Sequence, residues 1–167
     1  AENHPKYDDR YWPQGYPPKE IGVCTDVVWR AFRQAGYSLR DMVDQDIERF
    51  PEDYPNVSVR DRNIDFRRVK NLRVFFQKYA QPLPVDPDDL SSWQPGDIVI
   101  FGDDTHIGIV SDQRSRDGKA YIIHNGGQLN REENYLSIAE PTGHYRFNAA
   151  EVQDSVLISW DTDVIVE

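Results

Sequence analysis

The sequence is poor in cysteine, because Cys24 is the only one among its 167 residues. A single thiol excludes an intrachain disulfide and any zinc site built from several cysteines. A lone cysteine is often no more than a small buried apolar residue. The alternative is a nucleophile, which needs a histidine elsewhere in the chain, and this sequence has four.

Positive charge is also scarce, with 19 Lys and Arg against 29 Asp and Glu, a net charge of -10 and a pI near 4.8. Such a chain has no basic field for a phosphate backbone, so nucleic acid is not expected as a partner. Its apolar runs fall far short of the roughly 20 residues that span a bilayer, and no transmembrane segment is expected. The start Ala-Glu-Asn fits either a mature end left by signal cleavage or a trimmed chain.

The length suits one domain that buries about 70% of its unfolded surface. Residues 1–20 combine several prolines with large aromatic residues, which disfavours regular helix but supplies surface for packing. We therefore predict an N-terminal arm over residues 1–20, packed on a single monomeric domain of residues 21–167.

Helical periodicity comes first along the chain. Apolar residues from Val23 to Ala35 recur at helical spacing and Gly36 can end the run, so Cys24 is predicted in the first turn of a helix. Two further helices are predicted over 39–50 and 69–79.

Shorter periods follow, with β-branched or aromatic runs at 97–101, 106–110 and 120–124 separated by turn residues. These predict a meander of antiparallel strands, with further strands at 145–147 and 156–160 and a tail at 163–167. Helices followed by strands predict an α+β fold in which the N-terminal helices pack on an antiparallel sheet.

A catalytic arrangement can be built on this framework. A helix start favours the thiolate of Cys24, and its backbone N–H is a natural oxyanion donor. His106 opens a strand and could act as base, while His124 on the next strand could orient it. We expect a pKa for Cys24 below the roughly 8.5 of a free cysteine.

Four motifs in order resemble the NlpC-like cell-wall cysteine peptidases: Gly22-Val-Cys24-Thr-Asp26, Pro95-Gly-Asp-Ile-Val-Ile-Phe101, His106-Ile-Gly-Ile-Val110 and Ile122-Ile-His124. The resemblance implies a papain-like fold with Cys24 as nucleophile, His106 as base and later acid, and His124 as the orienting group. It further implies an extracytoplasmic peptidase or amidase acting on peptidoglycan stem peptides, with no metal and no cofactor.

A narrower resemblance, to a bacterial envelope family of unknown function within that superfamily, spans nearly the whole chain. It rests on residues 22–27, 61–69, 106–111, 124–125 and 143–146. A histidine is more usual in that family where this sequence has Phe66, so no site role carries over to Phe66.

Substrate contacts are predicted at Asp26, Arg67, Arg68 and Tyr16. Asp26 favours the helix dipole, or contacts a substrate amine or an arginine of 60–68. Arg67 and Arg68 belong either to a solvated charged face or to a wall that binds substrate carboxylates. Tyr16 is a possible second oxyanion donor or a packing aromatic.

Three other functions compete with a thiol hydrolase. One cysteine and two histidines could hold zinc in a metal-dependent amidase, or the groove could be a non-catalytic module that binds cell wall. A circularly permuted acyltransferase is disfavoured because the cysteine precedes the histidines. His144 is expected to be structural, and no role is predicted for His4.

Overall fold

A computed structural model describes residues 5–128 and 130–167 of the chain. It contains three helices, α1 (Cys24–Gln34), α2 (Leu39–Arg49) and α3 (Val69–Tyr79). The strands are β1 (Lys6–Tyr7), β2 (Ile21–Gly22), β3 (Gln81–Pro82), β4 (Ile98–Phe101), β5 (His106–Arg114), β6 (Ala120–Ile123), β7 (Glu132–Glu133) and β8 (Pro141–Arg146). The predicted α+β class, with helices preceding an antiparallel sheet, is confirmed.

Helix α1 begins at Cys24, as predicted. At its other end Gly36 adopts a left-handed backbone with φ of 96°, and its N–H donates to the Arg33 carbonyl at 2.9 Å. Tyr37 N–H donates to the Phe32 carbonyl at 2.9 Å, which completes the turn that stops the helix. The lengths of α2 and α3 agree with prediction to within one residue.

The main sheet has the strand order β3-β8-β4-β5-β6-β7 and is antiparallel throughout. The predicted meander β4-β5-β6 is confirmed, although β5 continues to Arg114. The strand predicted at 145–147 begins earlier, and β8 pairs with the far side of β4 rather than extending the meander.

Both faces of this sheet are covered. On one face Ile98, Ile100 and Ile107 join a large core built with the three helices. On the other face a smaller cluster forms around Val99 and Trp93. The central strand β4 is therefore buried on both sides, which explains why its sequence is apolar without alternation.

The strand predicted at 156–160 is wrong. That segment makes only an isolated bridge between Tyr37 and Ser159. Its apolar side chains cover the helices instead, since Trp160 stacks on Trp29 at a centroid distance of 6.0 Å. In the tail, the Glu167 carbonyl accepts a hydrogen bond from Lys19 N–H at 3.0 Å.

The N-terminal arm leads directly to the start of α1. Strand β1 pairs in parallel with β2, and Asp8 N–H donates to the Gly22 carbonyl at 2.9 Å. His4 lies outside the described residues. Within residues 5–128 and 130–167, no helix is long and apolar enough to cross a membrane.

Candidate active site

The half-buried thiol of Cys24 lies at the contact between α1 and β5. The backbone N–H groups of Ile107 and Thr25 lie near its sulfur and act to lower the pKa of the thiol. Ile107 immediately follows His106 on β5. The packing of helix start on strand start therefore brings the thiol and the imidazole segment together.

His106 and His124 meet as their positions in the sequence predict. His106 Nε2 lies 2.7 Å from His124 Nδ1. The two rings meet because β5 and β6 are antiparallel neighbours, so the start of β5 lies beside the end of β6. His124 Nε2 in turn lies 2.7 Å from Glu133 Oε1 on β7. Three adjacent strands thus build one hydrogen-bonded chain, Glu133–His124–His106.

The order of donors and acceptors in that chain follows from its carboxylate end. Glu133 accepts, so His124 Nε2 carries a proton and, in a neutral ring, His124 Nδ1 has a lone pair. His106 Nε2 must then be the donor to His124 Nδ1. This leaves the lone pair of His106 on Nδ1, the nitrogen that a general base needs.

Burial and the neighbouring His124 lower the pKa of His106 to about 4. Burial also raises the pKa of Cys24, with a further contribution from the charge of Asp26, and outweighs the N–H groups that lower it. The expectation of a lowered thiol pKa is therefore wrong. At neutral pH the resting pair is a neutral thiol beside a neutral imidazole.

No hydrogen bond joins the Cys24 sulfur to either histidine within the described part of the chain. Nδ1 of His106 likewise has no partner among residues 5–128 and 130–167. Catalytic hydrogen bonds are often long before substrate binds and shorten only in the reacting complex. In the described part of the chain, the Nδ1 lone pair of His106 is therefore unengaged.

Close packing fixes both rings. Tyr135 lies against His124 at a centroid distance of 4.3 Å and against His106 at 5.3 Å. Gly108 has no side chain, and a Cβ there would lie 2.6 Å from Ile122 Cγ2 and 3.2 Å from His124 Cβ. A glycine at this point of β5 allows β6 to approach closely enough for the two imidazoles to meet.

Asn125, which follows His124, connects the histidine strands to the nucleophile segment. It is 1% exposed, and its Nδ2 donates to the carbonyls of Pro5 and Gly22, both at 3.1 Å. One amide group therefore ties the N-terminal arm, the residue pair before Cys24 and the end of β6 together.

Asp26 and Arg67 form a buried ion pair rather than a surface open to substrate. Asp26 is 0% exposed, and Arg67 Nε and Nη2 donate to its two carboxylate oxygens at 2.9 Å each. Val23 N–H and Trp29 Nε1 fill its remaining acceptor sites at 2.7 Å. This geometry corrects the predicted substrate contacts of Asp26 and Arg67, whereas the alternative contact between Asp26 and an arginine of 60–68 is found.

The other two predicted substrate contacts, Tyr16 and Arg68, lie in different environments, one buried and one exposed. Tyr16 is buried in the aromatic core, 4.8 Å from the Trp29 ring, so its packing role is the one found. Arg68 is exposed and lines a cavity of about 330 Å³ with Lys70 and Asp104. Phe66, where the resembled family more often has histidine, is fully buried in the core.

His144 belongs to a second buried polar cluster, separate from the thiol. Its Nε2 lies 2.7 Å from Asp97 Oδ2 and its Nδ1 lies 2.7 Å from the Pro84 carbonyl. Arg146 binds both oxygens of Asp97 at 2.8 Å, and the Trp93 ring stacks on His144 at 3.8 Å. Arg146 also donates to the backbone carbonyl of Ser92 at 3.0 Å. Within the described residues, no thiol or hydroxyl side chain hydrogen-bonds to this group, which supports the predicted structural role.

No group of three or more His, Cys, Asp or Glu side chains in residues 5–128 and 130–167 is arranged to hold a metal ion. The separation of His106 Nε2 and His124 Nδ1, 2.7 Å, is that of a hydrogen bond. Two nitrogens on one tetrahedral zinc would lie about 3.3 Å apart. The geometry thus gives the zinc alternative no support.

Sequence reasoning missed Glu133, Tyr135 and Asn125. Glu133 lies on a strand of two residues, too short for any periodic pattern. Tyr135 lies in a single helical turn, and its neighbours in sequence give no hint that it faces the histidines. Only the position of Asn125, next to His124, could have suggested it.

Comparison with known proteins places these residues in a family. The family model described as "Domain of unknown function (DUF1287)" matches residues 1–147. A protein of Escherichia coli (strain K12), "Uncharacterized protein YijF", is 39% identical over 149 residues, which cover 86% of this chain and 72% of that protein. No solved structure matches the chain. The family match spans every residue of the Cys24, His106, His124 and Glu133 arrangement, and the chain belongs to the DUF1287 family.

Proposed function

We propose that this protein is a cysteine hydrolase of the papain-like, NlpC-like kind that cleaves an amide bond in peptidoglycan stem peptides. The observation that carries the proposal is the chain Glu133–His124–His106, which leaves the lone pair of His106 on Nδ1. That nitrogen belongs to the residue before Ile107, whose backbone N–H lies near the Cys24 sulfur. A nucleophile, a base and an oriented support are the parts that acyl transfer requires.

The proposed reaction begins with proton transfer, because both groups are neutral at rest. His106 Nδ1 takes the proton of Cys24 as the sulfur attacks the amide carbonyl carbon. The same Nδ1–H then protonates the leaving amine as the C–N bond breaks and a thioester forms. Water then gives a proton to His106 Nδ1 as its oxygen attacks the acyl carbon. The C–S bond breaks to release a carboxylic acid, and the proton returns from His106 to the sulfur, which restores the thiol.

Charge develops on the carbonyl oxygen during attack, at the start of α1. The Cys24 backbone N–H is the proposed donor to this oxygen, supported by the partial positive charge of the helix start. His124 and Glu133 stabilise the imidazolium that forms transiently at His106.

The substrate and setting rest on resemblance to the NlpC-like peptidases. Exposed Arg68 is available for carboxylates of stem peptides, which suits such a substrate. An extracytoplasmic location is part of the same proposal.

The test is mass spectrometry of muropeptides after incubation with wild type, Cys24→Ala and His106→Ala, each with and without EDTA. We expect new amide-cleavage products from wild type alone, unchanged by EDTA. Arg116→Ala, an exposed change in the turn between β5 and β6, serves as the matched control and should retain activity. Products made equally by Cys24→Ala, or abolished by EDTA, would refute the thiol mechanism. A reactive thiol that cleaves no muropeptide would refute the substrate assignment alone.

A further inference from the structure

A cavity of about 420 Å³ opens beside the histidine pair, on the α1 side of His124. His124 itself forms part of its wall, as does Val27, one turn along α1 from Cys24. A ligand in this cavity would therefore lie against His124 and about one turn of α1 from Cys24.

The charge of this wall is opposite to that of the whole chain. Three cationic side chains line the cavity, Lys19, Arg30 and Arg131, against the single carboxylate of Glu20. The chain as a whole carries a net charge of -10. A local excess of positive charge in so acidic a protein points to an anionic ligand.

Within residues 5–128 and 130–167, no ion pair involves exposed Lys19, exposed Arg131 or partly buried Arg30. The other arginines with partly or fully buried side chains do bind carboxylates. Burial lowers the pKa of Arg30, and the nearby charges of Arg67 and Arg131 lower it further, against the opposing effect of Asp26. Arg30 therefore lies in a site where an additional negative charge would be stabilised.

Arg30 is held firmly enough to act as a fixed donor. Its Nη2 donates to the carbonyls of Pro18 and Ile21 at 3.1 and 2.8 Å. Nη2 makes all of these bonds, and neither Nε nor Nη1 has a hydrogen-bond partner among residues 5–128 and 130–167. Nε and Nη1 point to different sides of the guanidinium, so Arg30 offers a carboxylate one charged N–H, and the second oxygen needs another cation of the wall, Arg131.

We infer that this cavity binds a carboxylate group of an acidic peptide, with Arg30 and Arg131 as its principal contacts and Lys19 at its rim. The inference rests on the proposed function for its place in the reaction, since it makes the cavity a substrate subsite. Binding itself requires no turnover. The two claims can therefore fail separately.

The test uses isothermal titration calorimetry with the full chain carrying Cys24→Ala, at low ionic strength. The probes are the peptide acetyl-Ala-Glu-Ala and its uncharged counterpart acetyl-Ala-Gln-Ala-amide. We expect the acidic peptide to bind at least tenfold more tightly, and added salt to reduce that preference because exposed charges are screened.

Arg131→Gln and Arg30→Gln should each reduce the preference several-fold. Arg131 is exposed and makes no side-chain hydrogen bond within the described chain, so its substitution tests the site even if Arg30→Gln disturbs the arm. Arg116→Gln removes the same charge at the opposite end of β6 and should leave binding unchanged.

Equal binding of the two peptides would overturn the inference, as would a preference that survives Arg131→Gln. Binding of inorganic phosphate that depends on Arg131, without binding of the acidic peptide, would overturn the peptide assignment. A chain that binds the acidic peptide but cleaves nothing in its wild-type form would leave this subsite intact and refute only the hydrolase.

Discussion

At the scale of the single residue, the thiol of Cys24 differs most from its sequence-based expectation. A helix start favours a thiolate, but desolvation is the larger effect here and raises the pKa. The neutral thiol therefore needs His106 to accept its proton. With a pKa of about 4, His106 is unprotonated over the whole neutral range.

We accordingly expect iodoacetamide to alkylate Cys24 slowly at pH 7, with a rate that rises through an apparent pKa above the roughly 8.5 of a free cysteine. Labelling rates measured from pH 5 to 11 provide the check, with Cys24→Ser as the unreactive control. A rate already at its plateau by pH 7 would contradict a neutral resting thiol.

The rate of hydrolysis should also rise with pH, but over a lower pH range. His106 must be unprotonated to accept the thiol proton, so kcat/KM should fall only as the pH drops through about 4.

Glu133 is a positioning residue, because it acts on His106 through His124. Glu133→Gln replaces a pure acceptor by an amide that can also donate, so the ring tautomers are no longer fixed. We expect kcat to fall about 10²-fold with little change in KM, and the ¹⁵N spectrum of His106 to show mixed tautomers.

Glu132→Gln is the matched control on the same short strand, since Glu132 accepts from Ser111 Oγ at 2.6 Å instead. Glu133→Asp should restore part of the activity. If both strand variants lowered kcat equally, Glu133 would be supporting the strand rather than the tautomer.

At the scale of elements, the Asp97–His144–Arg146 cluster joins β4 to β8 at the centre of the molecule. Burial raises the pKa of the Asp97 carboxyl, but the hydrogen bonds from His144 and Arg146 lower it by more, so its net shift is downward. A carboxyl whose folded pKa lies below its unfolded value stabilises the fold above the unfolded pKa, near 4, and that contribution is lost as the pH falls through the folded pKa.

We therefore expect the free energy of unfolding of wild type to decline below about pH 4. At pH 7 the free energy of unfolding of Asp97→Asn should be about 3 kcal/mol lower than that of wild type, because Arg146 and His144 lose their buried charged partner. Its free energy of unfolding should also decline less steeply as the pH falls. Urea denaturation between pH 2.5 and 7 measures both effects. Asp112→Asn, on the exposed end of β5, is the control. If the stability of Asp97→Asn declined in acid as much as that of wild type, the decline would be due to other carboxyl groups.

The elements that could be predicted from sequence are those whose hydrophobic pattern extends over enough residues to be recognised. Helices α1 and α3 have apolar stripes of three turns, and β4 and β5 are apolar runs bounded by turns. The segment 156–160 looks like a strand because it is apolar, but Trp160 satisfies that requirement by stacking on Trp29 instead. Strand β7 could not be predicted, because two residues are too few to show a periodic pattern.

The same reasoning separates the parts of the site. Cys24, His106 and His124 begin or follow recognisable elements, so their meeting could be foreseen. The pairing of Asp26 with Arg67 depends on how the segment before α3 folds against α1, which no local pattern specifies. The thiol pKa depends on a sum of burial and dipole effects, and the amount of burial is a tertiary quantity.

At the scale of the whole molecule, Asn125 joins three distant segments through a single buried amide. Asn125→Ala removes the Asn125 donor from the carbonyls of Pro5 and Gly22, and leaves Gly22 only the N–H of Asp8. We expect unfolding to require about 1–3 kcal/mol less free energy, and the amides of Lys6 and Asp8 to exchange hydrogen faster, because the arm is released.

Asn148→Ala provides the comparison, since Asn148 is an exposed asparagine whose side chain caps a short helical turn. Differential hydrogen exchange by mass spectrometry distinguishes the two variants. Protection of the arm that survives Asn125→Ala would mean that β1 is held by its pairing with β2 alone.

The amide of Asn125 also has a consequence for the order in which the protein is made. It reaches back 120 positions to Pro5 and 103 positions to Gly22. On a ribosome, which delivers the chain from its N-terminus, the nucleophile is synthesised long before either histidine of the pair or the group that anchors its own helix start. Contacts of such long range form only once the later segment has been made. A nascent chain therefore carries Cys24 well before the proposed reaction centre can assemble, because that centre needs the residues through Glu133.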